Sequence, residues 1–250
     1  MDIKNLEITD MVLVSEKLLL FSNASLNKLA LVDINSSKVV SEIELKETPC
    51  CVCKIDCNLA AASGNTIQFL KIDGNALTCD RAIPSYVKVL GIALHGNNLV
   101  VTIDSPPGVQ ILSMEGKMIH KLDNTKAGKK VFKKPRWIAT TSDDSIYVTD
   151  WGTHKITRLD SSLTILQTFS GAMLNHPNGI LALNRDQLLV CNKHNNILLI
   201  RPSTSNMTVL LDKQHGIERP QSICFCKEQK KLYVARDRDT IVVYQLMICK

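Results

Sequence analysis

Aromatic residues are scarce in this chain: Phe, Trp and Tyr together make up 4% of its 250 residues. That leaves little capacity for stacking a long run of bases. No apolar run approaches the ~18 residues that a membrane-spanning helix needs. The start, Met1-Asp2-Ile3-Lys4-Asn5, lacks the basic stretch and apolar run of a secretory signal. The expectation is a cytoplasmic protein with no membrane partner. A Gly-x-Ser-x-Gly elbow, a His-Glu-x-x-His pair and a Walker loop are all missing. With no coherent catalytic constellation, the chain reads as a non-enzyme with no catalytic residues and no cofactor. The nine cysteines are an odd number and fall mostly in short apolar runs, which suits reduced core thiols better than a disulfide framework. One group, Cys50-Cys51-Val52-Cys53 with Cys57, lacks the second Cys pair or His pair that a zinc site requires. No metal is expected there.

What the chain does have is one phrase that returns at a near-constant interval. Lys134-Pro135-Arg136-Trp137-Ile138 is followed by Ile146-Tyr147-Val148-Thr149-Asp150 and then Ile156-Thr157-Arg158-Leu159. The phrase recurs from His176-Pro177-Asn178-Gly179-Ile180 and again from Arg219-Pro220-Gln221-Ser222-Ile223, with the prolines 42 and 43 residues apart. Fainter copies open at Thr48-Pro49-Cys50-Cys51-Val52 and Lys88-Val89-Leu90-Gly91-Ile92, and a degenerate one begins near Met11. A fixed period of this length marks a repeat architecture. The apolar runs are short and rich in Ile, Val, Leu and Tyr, so they are strands rather than helices. Each copy supplies one four-stranded antiparallel sheet, and sheets repeated radially make a β-propeller. The spacing predicts an all-β, six-bladed propeller forming one domain over residues 1–250. The blades are placed near 8–47, 48–87, 88–133, 134–175, 176–217 and 218–250, the last completed by 1–7. Ile3 to Ile8 is expected to close the ring by pairing beside Ile241 to Gln245.

In such a ring, the starts of the inner strands and the turns between second and third strands gather on one face. Taking the residue two before each Ile or Val gives a ring of Asp10, Cys50, Leu90, Arg136, Asn178 and Gln221. The neighbouring turns add Trp151, His154 and Lys155 from blade four, Lys193 and His194 from blade five, and Arg236 and Arg238 from blade six. The candidate face is therefore Arg136, Trp151, His154, Lys155, Asn178, Lys193, His194, Gln221, Arg236 and Arg238. It is cationic on the side of blades four to six and nearly neutral on the side of blades one to three. The formal net charge of +6 is also uneven along the chain. Lys126, Lys129, Lys130, Lys133, Lys134 and Arg136 occur together without an acid, either as a solvated connector or as a patch for an acidic partner.

The repeating phrase resembles the NHL repeat, most clearly in Pro177-Asn178-Gly179-Ile180-Leu181 and in Tyr147-Val148-Thr149-Asp150-Trp151 with His154-Lys155-Ile156. The resemblance covers Lys134 to Leu246 clearly and the first half through spacing alone. It implies a domain like the carboxy-terminal propeller of tripartite-motif ubiquitin ligases, which binds protein or RNA. The RING, B-box and coiled-coil segments of those ligases are not in this sequence. The resemblance thus implies a non-catalytic recognition module, monomeric in isolation, holding a protein ligand or single-stranded RNA on the face of blades four to six. Gluconolactonase-like propellers share much of the pattern and imply the alternative, a metal-dependent lactonase-like hydrolase with an axial calcium ion. Asn178 matches their Pro-Asn-Gly phrase. Arg136, Gln221, Cys50 and Leu90 depart from an oxygen-rich calcium site, and Arg136 would repel the ion.

Overall fold

The computed structural model describes residues 7–56, 58–123, 130–236 and 239–246. It is an all-β, six-bladed β-propeller. Five sheets have four antiparallel strands in chain order, and the sixth has three among the described residues. The inner strands are Ile8–Leu13, Pro49–Ile55, Val89–His95, Pro135–Thr140, Pro177–Asn184 and Pro220–Cys226. They contact one another in that order around the axis, and the sixth returns to the first. A 3-10 turn, Lys213–His215, links blades five and six.

The second strands explain the unbroken apolar runs in the sequence. In blade one the second strand is Leu18–Asn23. Leu19 and Phe21 pack toward Cys224, Tyr233 and Ala235 of blade six. Leu20 points the other way, toward Val52, Leu59 and Ala61 of blade two. A strand buried on both faces has no polar side to alternate with. The core consequently lies between blades, as with Val100, Val109 and Ile111 against Ile138, Ile146 and Val148. Outer strands such as Lys38–Glu44 and Met118–Asp123 carry mostly exposed residues.

Of the expected closing strand, Ile3 to Ile8, residues 3–6 lie outside the described residues. Ile8, the last residue of that segment, pairs with Asn23 inside blade one. Among the described residues the seam between blades six and one is fastened from within. Asp10 accepts from Ser222 Oγ at 2.6 Å, and Ser222 Oγ in turn accepts from the Met11 amide at 3.1 Å. On its other oxygen Asp10 accepts from Cys51 Sγ at 2.6 Å and from the Val52 amide at 3.0 Å. One carboxyl therefore joins blades six, one and two. Burial pushes its pKa up from the ordinary value, against the pull of these four donors' bonds.

The ring position assigned to Asp10 needs correction. Each inner strand opens with a bulge: Pro49 pairs with Ser63 but Cys51 with Ala62, and Ile8 pairs with Asn23 but Asp10 with Ser22. Asp10 is thus the counterpart of Cys51, not of Cys50. Thr9 holds the ring position, and its hydroxyl donates to the Pro49 carbonyl at 3.1 Å. Blade one lacks the proline and has Met11 where other blades have Ile or Val, which shifts the sequence alignment by one.

Candidate ligand-binding face

The face at which the inner strands begin is held by a recurring device. In several blades the side chain ending the second strand reaches back to the segment that leads into the inner strand. Asp150 does this in blade four, accepting from the Lys133 and Lys134 amides at 2.7 and 2.9 Å. It also caps its own turn, accepting from the Gly152 and Thr153 amides at 2.8 and 3.1 Å. Asn192 does it in blade five, accepting from the Asn175 amide at 2.7 Å and donating to the Met173 carbonyl at 2.8 Å. Ser63 donates to the Glu47 carbonyl in blade two. In blade six the same place is taken by Arg236, whose guanidinium donates to the Gly216 carbonyl at 2.6 Å. Arg236, a candidate ligand residue, is committed to this carbonyl.

The other candidates separate into two groups. Asn178 is buried, and its amide donates to the Pro220 carbonyl at 3.1 Å and toward Gln221 Oε1 at 3.4 Å. These two residues tie blade five to blade six. Arg238 lies outside the described residues, as do Lys126 and Lys129 of the basic run. Lys155 is exposed beside Asp150 at the start of the third strand of blade four. Trp151, His154, Lys193 and His194 are brought together. The Trp151 ring lies 4.2 Å from His176, and His154 meets His176 edge-on at 4.0 Å. Lys134 Nζ and Lys193 Nζ stand 5.0 and 5.9 Å from the Trp151 ring. His194 and His176 each bond the Asn175 side chain, and the His176 amide donates to His154 Nδ1 at 3.2 Å. Partial desolvation holds the His176 pKa below its ordinary 6.5, and the charges of His154, Lys193 and His194 push the same way.

Asn175 and His176 were not among the sequence candidates. Their signal was present: they sit immediately before Pro177, as Lys133 and Lys134 sit before Pro135. The connector before each inner strand contributes to the face as much as the inner strand does. The same is true on the opposite side. The connector from blade one to blade two places exposed Glu44 and Glu47 on this face, with Lys46 between them. Glu47 accepts from the Asn65 amide at 2.8 Å in the adjoining turn. That side of the face carries charges of both signs, since Lys46 and Lys88 are exposed beside these acids.

Arg136 stands at the channel mouth. Its guanidinium lies 4.9 Å from the Trp137 ring. Its Nε is buried with no hydrogen-bond partner among the described residues. Beneath it the channel is a cavity of about 260 Å3 whose walls come from all six inner strands, Asp10, Trp137 and Ser222 among them. Two glycines allow the strands to come this close. A Cβ on Gly91 would lie 1.7 Å from the Arg136 carbonyl, and one on Gly179 would lie 2.7 Å from the Gln221 carbonyl. Thr102 Oγ1 donates to the same Arg136 carbonyl at 2.7 Å. No group of three or more His, Cys, Asp or Glu among the described residues is arranged to hold a metal ion. The seven described cysteines are free thiols, five of them buried, and Cys57 lies outside the described residues. Burial pushes the Cys53 thiol up to about 12 and that of Cys51 well above its ordinary value.

The chain matches no protein-family model and no curated protein. Solved structures share its fold. A streptogramin B lyase is 18% identical with a TM-score of 0.70, over 99% of this chain and 86% of that one. Virginiamycin B lyase from Staphylococcus aureus is 17% identical with a TM-score of 0.67, over 100% and 88%. A protein of unknown function from Bacteroides caccae is 14% identical with a TM-score of 0.74, over 92% and 90%. At these identities the likeness establishes the propeller and nothing finer. Among the described residues no helix is long and apolar enough to cross a membrane.

Proposed function

We propose that this chain is a non-catalytic recognition propeller, like the substrate-recognition domain of tripartite-motif ligases, working in the cytoplasm. It takes an acidic part of a macromolecule on the face of blades three to five. The observation that carries the reading is Arg136, whose guanidinium has no hydrogen-bond acceptor among the described residues although its Nε is buried. Lys134 and Lys193 stand nearby against Trp151. A buried donor without an acceptor costs free energy, and an incoming carboxylate or phosphate repays that cost. Arg suits such groups because its planar fork donates in pairs.

The test is fluorescence anisotropy with two labelled probes, an oligouridylate and a polyglutamate peptide, over a range of salt. Binding of either should weaken with salt. Changing Arg136 and Lys193 to Glu should weaken it by about tenfold or more. The same change at Lys230 and Lys231 should matter little, because they lie in a hairpin turn at the other end of blade six. Equal losses from both pairs would mean non-specific attraction to a basic protein, and no binding of either probe at low salt would sink the reading.

A second reading is catalytic. Three imidazoles in one cluster, His154, His176 and His194, are groups able to move protons, and two of the proteins sharing the fold are lyases by name. Incubation with quinupristin, found with an inactive variant of virginiamycin B lyase, and with a simple lactone, each with and without calcium, tests it. No turnover is expected, since no group of three or more His, Cys, Asp or Glu among the described residues is arranged to hold a metal ion.

A further inference from the structure

Between blades three and four the face is hollowed into a niche of about 260 Å3 lined by Leu90, Asp104, Lys134, Arg136 and Trp151. The niche holds charges of both signs, and they do not pair with each other. The Asp104 side chain is exposed and forms no ion pair or hydrogen bond with a described residue. Only its backbone is held, by an amide bond to the Lys88 carbonyl at 3.1 Å. Arg136 and Lys134 face the same hollow, and their side chains likewise have no acceptor among the described residues.

A hollow with an unpaired acid and two unpaired bases is complementary to a ligand carrying both signs. A nucleic-acid strand carries one sign only, and Asp104 would repel it. Trp151 offers no open platform for a base either. His176 packs 4.2 Å from its ring, and the amines of Lys134 and Lys193 approach it as well. Leu90 and Trp151 supply an apolar wall suited to methylene groups.

We propose that this niche receives a polypeptide segment in which an Asp or Glu stands beside a Lys or Arg. The proposal rests on the recognition reading above. The ligand's carboxylate takes the Arg136 fork and Lys134, and its cation takes Asp104. The wider face sets the polarity of the segment. Its acidic end runs toward Lys193 and its basic end toward Glu44 and Glu47. Tyr86, fully exposed two residues before Lys88, stands on the same face and offers an aromatic contact along the way.

The test pans two random pools against the folded chain at about 0.1 M salt, where the Debye length is about 10 Å. One pool is short peptides displayed on phage, and the other is single-stranded RNA. Peptides with an adjacent acid and base should be enriched. Arg136→Gln should weaken a recovered peptide by about tenfold, and Asp104→Asn by a smaller factor. Asp104→Asn should also abolish the difference between that peptide and its Lys→Ala version, and Asp104→Lys should redirect selection to purely acidic peptides. Thermal melts of the variants show that each is folded. If only RNA is recovered, and it is sensitive to Arg136→Gln, the polypeptide proposal falls and the recognition reading stands. If recovered peptides are purely acidic and indifferent to Asp104→Asn, the two-sign ligand is overturned. If neither pool yields a binder, both readings fall.

Discussion

Two polar regions near the axis of this propeller differ in how their hydrogen bonds are spent. At the seam of blades six, one and two, both oxygens of Asp10 are taken by donors from the neighbouring blades. At blades three to five, Arg136, Lys134 and Asp104 have side chains without such partners among the described residues. A polar group whose capacity is filled by the protein holds the fold. One left unfilled at the surface of a hollow is available to something else. Arg236 and Asn178 stand between the two: Arg236 gives one bond to Gly216 and the Asn178 amide nitrogen bonds blade six, and the Arg236 guanidinium keeps further donors.

The comparison breaks most visibly by cutting the seam. Asp10→Ala leaves Ser222, Cys51 and the Val52 amide without their acceptor, at a cost of about 1–3 kcal/mol per unsatisfied buried group. At the low end, about 3 kcal/mol in all, that is a fall in melting temperature of about 6–12 °C for a chain of this size, read by calorimetry. Arg136→Ala in the same assay should move the midpoint by less than about 2 °C while removing binding. Equal falls would erase the distinction between the two regions.

Arg236→Ala sharpens the boundary. It frees the Gly216 carbonyl and should cost about 1 kcal/mol, with ligand affinity retained. A variant that stays fully stable but stops binding would return Arg236 to the ligand face.

The pH dependence of Asp10 is a further test. Its pKa is raised in the fold above the ordinary 3.8, so the folded state binds the extra proton. Stability from this group is therefore fully present below about 3.9 and is lost as pH rises through the folded value. His176 runs oppositely, its lowered pKa taking stability away as pH falls below 6.5. The difference between the wild-type and Asp10→Asn stability curves isolates the carboxyl, and wild type should lose stability relative to Asp10→Asn as pH rises between the two Asp10 pKa values. A flat difference would mean that Asp10 titrates normally.

The smallest effect should come from chelation. Dialysis against a chelator with reductant present should leave the midpoint within about 1 °C, the scale of a neutral change. A larger fall would point to a metal held by Cys50, Cys51, Cys53 and Cys57.

The periodic prolines and apolar runs were enough to place the blades because a strand buried on both sides needs an unbroken apolar sequence. They were also enough to bring Trp151, His154, Lys193 and His194 to one face. They did not locate Asp10, because a bulge near the start of each inner strand consumes a residue that only pairing reveals. They did not separate Arg236 from Arg136, because the roles differ by where an acceptor lies, and Gly216 is twenty residues away in the chain. Nor did they show Glu44 and Glu47 on the face, since these lie at and just beyond the end of an outer strand rather than in the repeated phrase.

Gly91 has a consequence for how mutations in this chain should be interpreted. It presses against the carbonyl of Arg136 so closely that no side chain fits between them. The cation in one blade thus owes its position to an absence in the next. In a saturation screen scored by binding, Gly91 would rank with the contact residues while touching no ligand. Inheritance of the site would require that both blades change together. Duplicating or exchanging blade four alone would carry the Arg136 codon to a new place without its geometry.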